Sequence, residues 1–74
     1  MATANSSTSH ISTIGETAGQ VWRLLAQRGP MSMAQLVKAV GQPRDTVMQA
    51  LGWLAREDKL VIEETSRRRV VSLK

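Results

Sequence analysis

Apolar residues recur at helical spacing early in the chain. Ile14, Ala18, Val21, Trp22 and Leu25 form one stripe, with Arg23 and Gln27 on other faces. Thr13-Ile14-Gly15-Glu16 has the T-x-x-E spacing of a capping box, so the first helix is expected to begin there. Gly29-Pro30 ends it, because Pro30 disfavours helical geometry in the residue before it. Upstream, residues 1–12 (MATANSSTSHIS) are small and polar, with only Ile11 to bury. Such a segment cannot recover its ordering entropy and reads as a flexible tail ahead of a domain over 13–74.

After Met31, which suits a short extended segment, Ser32-Met33-Ala34-Gln35 supplies a second capping box and starts a short helix. Leu36, Val37 and Val40 are its buried stripe, and Gly41 suits the left-handed position that ends it. Only Gly41 and Gln42 precede Pro43, which is expected at the first position of a third helix reaching about Asp58. Asp45 in its first turn complements the helix dipole. On that helix Val47, Leu51 and Leu54 share a stripe with Ala50 beside it, while Asp45, Gln49, Gly52 and Arg56 fall opposite.

From Lys59 the period changes. Leu60-Val61-Ile62-Glu63-Glu64 and Val70-Val71-Ser72-Leu73 are rich in β-branched residues and flank the polar turn Thr65-Ser66-Arg67-Arg68-Arg69. Two helices joined by a short glycine turn are a helix-turn-helix. Three helices followed by a two-stranded β wing make a mainly α, α+β winged helix-turn-helix.

The 74 residues suffice for one domain. A domain of this size buries only about 60% of its unfolded-chain surface and is marginally stable. The chain has no cysteine, and its one histidine, His10, cannot build a metal site alone. No metal or cofactor is therefore expected, and dimerisation is the remaining route to added stability. No apolar run can span a bilayer, and Met1–Ser9 lacks the features of a secretory signal, so a soluble cytoplasmic chain is expected. The net charge of +4 favours a polyanionic partner, although it also serves ordinary solubility.

In winged helix-turn-helix regulators the third helix enters the DNA major groove, led by its N-terminal side chains. Gln42, Arg44, Thr46, Gln49 and Arg56 are the candidates here. Arg44 and Gln49 are the base readers, since Arg pairs bidentately with guanine and Gln with adenine. Asp45 repels phosphate and weighs against readout. Arg67, Arg68 and Arg69 place three guanidinium groups on one turn, suited to phosphates or a narrow minor groove. The alternative is a solvated charge run that protects an edge hairpin, with Glu63 and Glu64 partly neutralising it.

Trp22 and Trp53 are the only aromatic residues. Trp22 lies on the stripe of the first helix and is expected in the core. Trp53 sits about 100° from Leu54. It either folds back over the wing or first helix, or stays half exposed and anchors a partner subunit, with Gly52 beside it allowing close approach. RNA binding through the basic wing is disfavoured, because no pair of exposed aromatic platforms is expected. No arrangement of residues suits catalysis or a small-molecule substrate: Glu57-Asp58 and Glu63-Glu64 read as solvated acids, with no histidine partner.

The run Ala50-Leu51-Gly52-Trp53-Leu54-Ala55-Arg56-Glu57-Asp58-Lys59 resembles a small bacterial and archaeal winged helix-turn-helix family of undetermined function. Ile14-Gly15-Glu16-Thr17-Ala18-Gly19-Gln20-Val21-Trp22 is similar to that family's opening helix. The resemblance implies a stand-alone domain without an effector domain, and a homodimer. The expected function is that of a DNA-binding domain of transcriptional-regulator type. The alternative is a protein-interaction or dimerisation module that presents Trp53.

Overall fold

Val21, Leu36, Val47 and Val71 lose all of their accessible surface, and each comes from a different element. The computed structural model describes the backbone from Ala2 to Lys74 and side chains from His10 onward. In chain order the elements are α1 (Ala2–Arg28), β1 (Met31–Ser32), α2 (Met33–Val40), α3 (Arg44–Arg56), β2 (Leu60–Glu64) and β3 (Arg69–Leu73). The three helices and the sheet close around one core. Ala18 and Leu25 join it from α1, Ala50, Leu51 and Leu54 from α3, and Leu60 from β2.

The helix ends follow from local chemistry. Gly29 stops α1 at φ 78°, donating its N–H to the Leu25 carbonyl at 2.9 Å. Ser32 caps α2 with both halves of the expected box: the Gln35 N–H donates to Ser32 Oγ, and the Ser32 N–H donates to Gln35 Oε1, each at 3.2 Å. Gly41 ends α2 at φ 75°, a conformation that side chains with a Cβ resist. Pro43 stands at the N-cap of α3, one step before the position expected of it. Its φ of −53° and ψ of 144° are not helical, and its carbonyl accepts the Val47 N–H at 3.1 Å.

One boundary differs from expectation. A continuous helix crosses Thr13, so the T-x-x-E spacing lies inside α1 and does not start it. A capping box needs its first residue in extended geometry, whereas extending an existing helix adds one hydrogen bond for each residue fixed. The side chains of residues 1–9, most of the expected tail, lie outside the described residues.

The sheet order is β1-β3-β2, antiparallel throughout. The expected hairpin is present, with register from Leu60↔Leu73 to Glu64↔Arg69. The extended segment at Met31 adds a short third strand, pairing Met31↔Val71 and Ser32↔Val70. With strands on both sides, β3 places Val71 in the core, whereas β2 is an edge and leaves Val61 and Ile62 exposed. Because Ser32 is both strand residue and helix cap, this pairing fixes the start of α2 against the wing.

Candidate nucleic-acid interface

The α2–turn–α3 unit and the wing enclose an open groove of about 520 Å³. The start of α2 (Ser32, Met33, Ala34) forms one wall, Arg44 at the start of α3 lies beside it, and Glu64 through Arg69 form the other. Elements far apart in sequence thus bring four arginines to the lining of one cleft: Arg44, Arg67, Arg68 and Arg69. All four are exposed. The ion pairs among the described residues, Lys59–Glu57 and Lys74–Asp58, include none of them. Glu64 is the one carboxylate in the cleft, opposite Arg69 in the ladder. The positive end of the α2 dipole adds to the same field.

The wing turn is ordered by a residue the sequence reading passed over. The Thr65 hydroxyl donates to the Arg68 carbonyl at 2.9 Å and accepts the N–H groups of Arg67 (3.4 Å) and Arg68 (3.2 Å). The Thr65 N–H donates to the Arg68 carbonyl at 2.8 Å. A threonine opening a polar turn, with its side chain bonding the backbone two and three residues on, was the available signal.

The outward stripe of α3 carries Gln49, Gly52 and Arg56 together with Asp45, all exposed. Gln42 lies half-buried in the turn. Asp45 has a structural task that the sequence reading did not assign: its Oδ1 accepts the Thr46 N–H at 3.0 Å, satisfying a donor of the first helical turn. Thr46 itself must be withdrawn from the candidates. It is 6% exposed, on the inward face beside Val47, and cannot reach a base edge.

The tryptophans also require correction. Trp22 was expected in the core but is 45% exposed. The buried face of α1 runs through Thr17, Ala18, Val21 and Leu25, and Trp22 stands about 100° around from Val21, at its edge. Trp53, 46% exposed, occupies the matching edge of α3. The two line one groove of about 450 Å³ with Gly15, Gly19, Arg23, Glu57 and Lys59, so a pair of exposed aromatics does exist. Gly52 lies elsewhere, on the outward stripe, and is not part of that groove.

Among the described residues no helix is long and apolar enough to cross a membrane, and no cluster of histidine and acidic side chains could hold a metal ion. The chain is similar to Uncharacterized protein MJ1608 of Methanocaldococcus jannaschii, with 41% identity over 64 residues, spanning 82% of this chain and 90% of that protein. It is also similar to the solution NMR structure of protein BT2368 from Bacteroides thetaiotaomicron. That likeness has a TM-score of 0.74 and 32% identity, and covers 84% of this chain and 76% of the other. The family described as winged helix-turn-helix domain (DUF2582) matches residues 8–73. Sequence and fold agree: the chain belongs to the winged helix-turn-helix domain family DUF2582.

Proposed function

We propose that this chain binds double-stranded DNA as a module of transcriptional-regulator type. In this reading α3 enters the major groove, and the wing arginines hold the phosphate backbone or the adjoining minor groove. The observation that carries it is the convergence of Arg44 with Arg67, Arg68 and Arg69 on one cleft beside the start of α3. Four of the chain's ten basic side chains line this cleft, and none of the four is in an ion pair among the described residues. A cluster of arginines outside the ion pairs, on a helix start and an adjacent turn, suits the charge and acceptor oxygens of a sugar–phosphate chain. Gln49 and Arg56, on the outward stripe of α3, supply the groove-facing contacts.

Titration of labelled duplex with the full chain over a range of salt, with and without random-sequence competitor, tests the reading. Each phosphate contact contributes about 0.9 to the slope of log affinity against log salt. Replacing Arg67, Arg68 and Arg69 together by alanine is expected to lower that slope by up to about 3. A slope unchanged by the triple substitution, or no duplex binding at physiological salt, would overturn it.

A further inference from the structure

Past the Ser32–Gln35 capping box, next to the basic cleft, lies a second open groove of about 430 Å³. Arg28, at the end of α1, lines it with Pro30 and Met31, and α2 contributes Gln35, Lys38 and Ala39. We infer that Arg28 and Lys38 form a second phosphate-binding site for the same duplex, reached when DNA beyond the cleft bends around the start of α2. The inference rests on the DNA-binding reading and extends it to residues outside both α3 and the wing.

Both cations are exposed, neither is in an ion pair among the described residues, and no carboxylate lines the groove. Each stands in the last turn of its helix, where a positive charge favours the dipole. The dipole accounts for the sign of each residue. It does not account for their convergence on one groove, where two unpaired cations repel each other. An anion between them relieves that repulsion, and a phosphate offers acceptor oxygens to both. With four basic side chains in the cleft and two here, six of the chain's ten line the two grooves, against a single carboxylate, Glu64.

One local structure joins the two grooves. Ser32 lines the cleft and Gln35 the second groove, and the two residues exchange hydrogen bonds at 3.2 Å. From Ser32 to Lys38 is about 9 Å along the axis of α2, the rise of about two to three base pairs at roughly 3.4 Å each. A phosphate strand leaving the cleft over the start of α2 therefore meets Lys38 within a few nucleotides. This continuity favours the duplex already in the cleft over a separate one.

The path is not straight. Ala34, on the cleft, and Gln35, on the groove, stand about 100° apart around α2. A rigid duplex seated against Arg44 and the wing cannot follow that corner, whereas a duplex bent toward α2 can. The cost of bending depends on base sequence, so flexible pyrimidine–purine steps on that flank favour binding without any contact to their bases.

Titration of the full chain with a duplex of about 20 base pairs, roughly 70 Å long at 3.4 Å per pair, tests the inference. Donor and acceptor dyes on the duplex ends report bending, and the unsubstituted chain is expected to raise the energy transfer. Arg28→Ala combined with Lys38→Ala is expected to abolish that rise and to lower the salt slope by about 2, at about 0.9 per phosphate contact. Both side chains are exposed, so the fold should survive the change. Lys59→Ala combined with Lys74→Ala removes the same charge from grooves that share no lining residue with these two, and should alter neither readout.

An equal loss of slope from the two pairs would mark a response to net charge alone and overturns the inference. So does an unchanged slope in the Arg28 and Lys38 variant, or a duplex whose ends do not approach. Capture of a second, differently labelled duplex that this variant loses would make the site a bridge between duplexes and overturns the bending. The triple substitution at Arg67, Arg68 and Arg69 separates the two levels. If it lowers the slope while the Arg28 and Lys38 pair does not, only the second site falls; if neither does, the DNA-binding reading falls with it.

Discussion

Thr65 closes the wing on Arg68: its backbone N–H and its hydroxyl both donate to the Arg68 carbonyl, at 2.8 and 2.9 Å. The same hydroxyl accepts the backbone N–H groups of Arg67 and Arg68. Three consecutive arginines repel one another, and an unconstrained turn would let them spread. Holding the backbone in a fixed turn limits that spread and keeps all three arginines on the cleft that Arg44 also lines.

Thr65→Val removes the hydroxyl at nearly constant volume. Each of these exposed bonds contributes about 1 kcal/mol or less, so the fold should survive with a small loss of stability. Amide hydrogen exchange at Arg67 and Arg68 should accelerate, and duplex affinity should fall although no cation is lost. Thr65→Ser should restore both. Unchanged exchange in the valine variant would mean that the backbone bond alone sets the turn.

Arg44 and Thr46 separate readout from structure, although they lie two residues apart. Arg44→Ala should leave stability within about 0.5 kcal/mol, since the side chain is exposed and outside the ion pairs. It should weaken duplex binding and reduce the salt slope by about 1 if the contact is to phosphate. Thr46→Val should do neither, because its buried side chain faces the core. Chemical denaturation and duplex titration on the two variants distinguish these roles. A larger binding loss from Thr46→Val than from Arg44→Ala would contradict the placement of both.

Much of this was legible in sequence because it depends on local chemistry. The serine–glutamine box of α2, the left-handed Gly41 and the stop at Gly29 are short-range signals, and each appears where its spacing puts it. The hairpin and its arginine turn were equally plain from the change of period. What was misread depends on angles around a helix. Trp22 and Thr46 each neighbour a fully buried valine, and a stripe drawn from spacing cannot say on which side of that valine the core ends. The hydrophobicity of Trp22 argued for the inside, but the core-facing positions of α1 are taken by Ala18, Val21 and Leu25. Nor could spacing show that Arg44 meets the wing, since that convergence is tertiary.

Ser32 links two elements, so its substitution probes both. Ser32→Ala removes the acceptor of the Gln35 N–H, at a typical cost of 0.5–2 kcal/mol, about 1 in most proteins. The Ser32 backbone still pairs with Val70, so the sheet should persist. Ser32→Asp should retain the cap and most of the stability, because a carboxylate accepts the same bond and favours the helix N-terminus. It also places a negative charge on the wall of the basic cleft and should weaken duplex binding. Denaturant midpoints and duplex titrations should therefore rank the two variants in opposite order. The same order in both measurements would remove Ser32 from the wall of the binding cleft.

Asp58 adopts φ 62°, the only non-glycine residue with positive φ among those described. It follows the C-cap of α3, where its N–H donates to the Ala55 carbonyl and the Lys59 N–H donates to the Leu54 carbonyl, each at 3.0 Å. This left-handed position commonly takes glycine, and a residue with a Cβ loses roughly 1–2 kcal/mol there, less for aspartate. Its carboxylate pairs with Lys74, but both side chains are more than half exposed, so the pair is worth about 0–1 kcal/mol. The chain end is also held by the Lys74 N–H donating to the Lys59 carbonyl at 3.1 Å, which needs no carboxylate. The backbone term should therefore outweigh the ion pair. Asp58→Gly and Asp58→Ala both abolish the pair, yet the glycine variant should be the more stable by about 1 kcal/mol. Lys74→Met, which removes the pair and keeps the backbone, should cost less than about 1 kcal/mol. Urea midpoints of the three variants decide the matter. Equal stability of the glycine and alanine variants would show that the turn carries no conformational cost, and a large loss in Lys74→Met would make the ion pair the principal tie between α3 and the end of the wing.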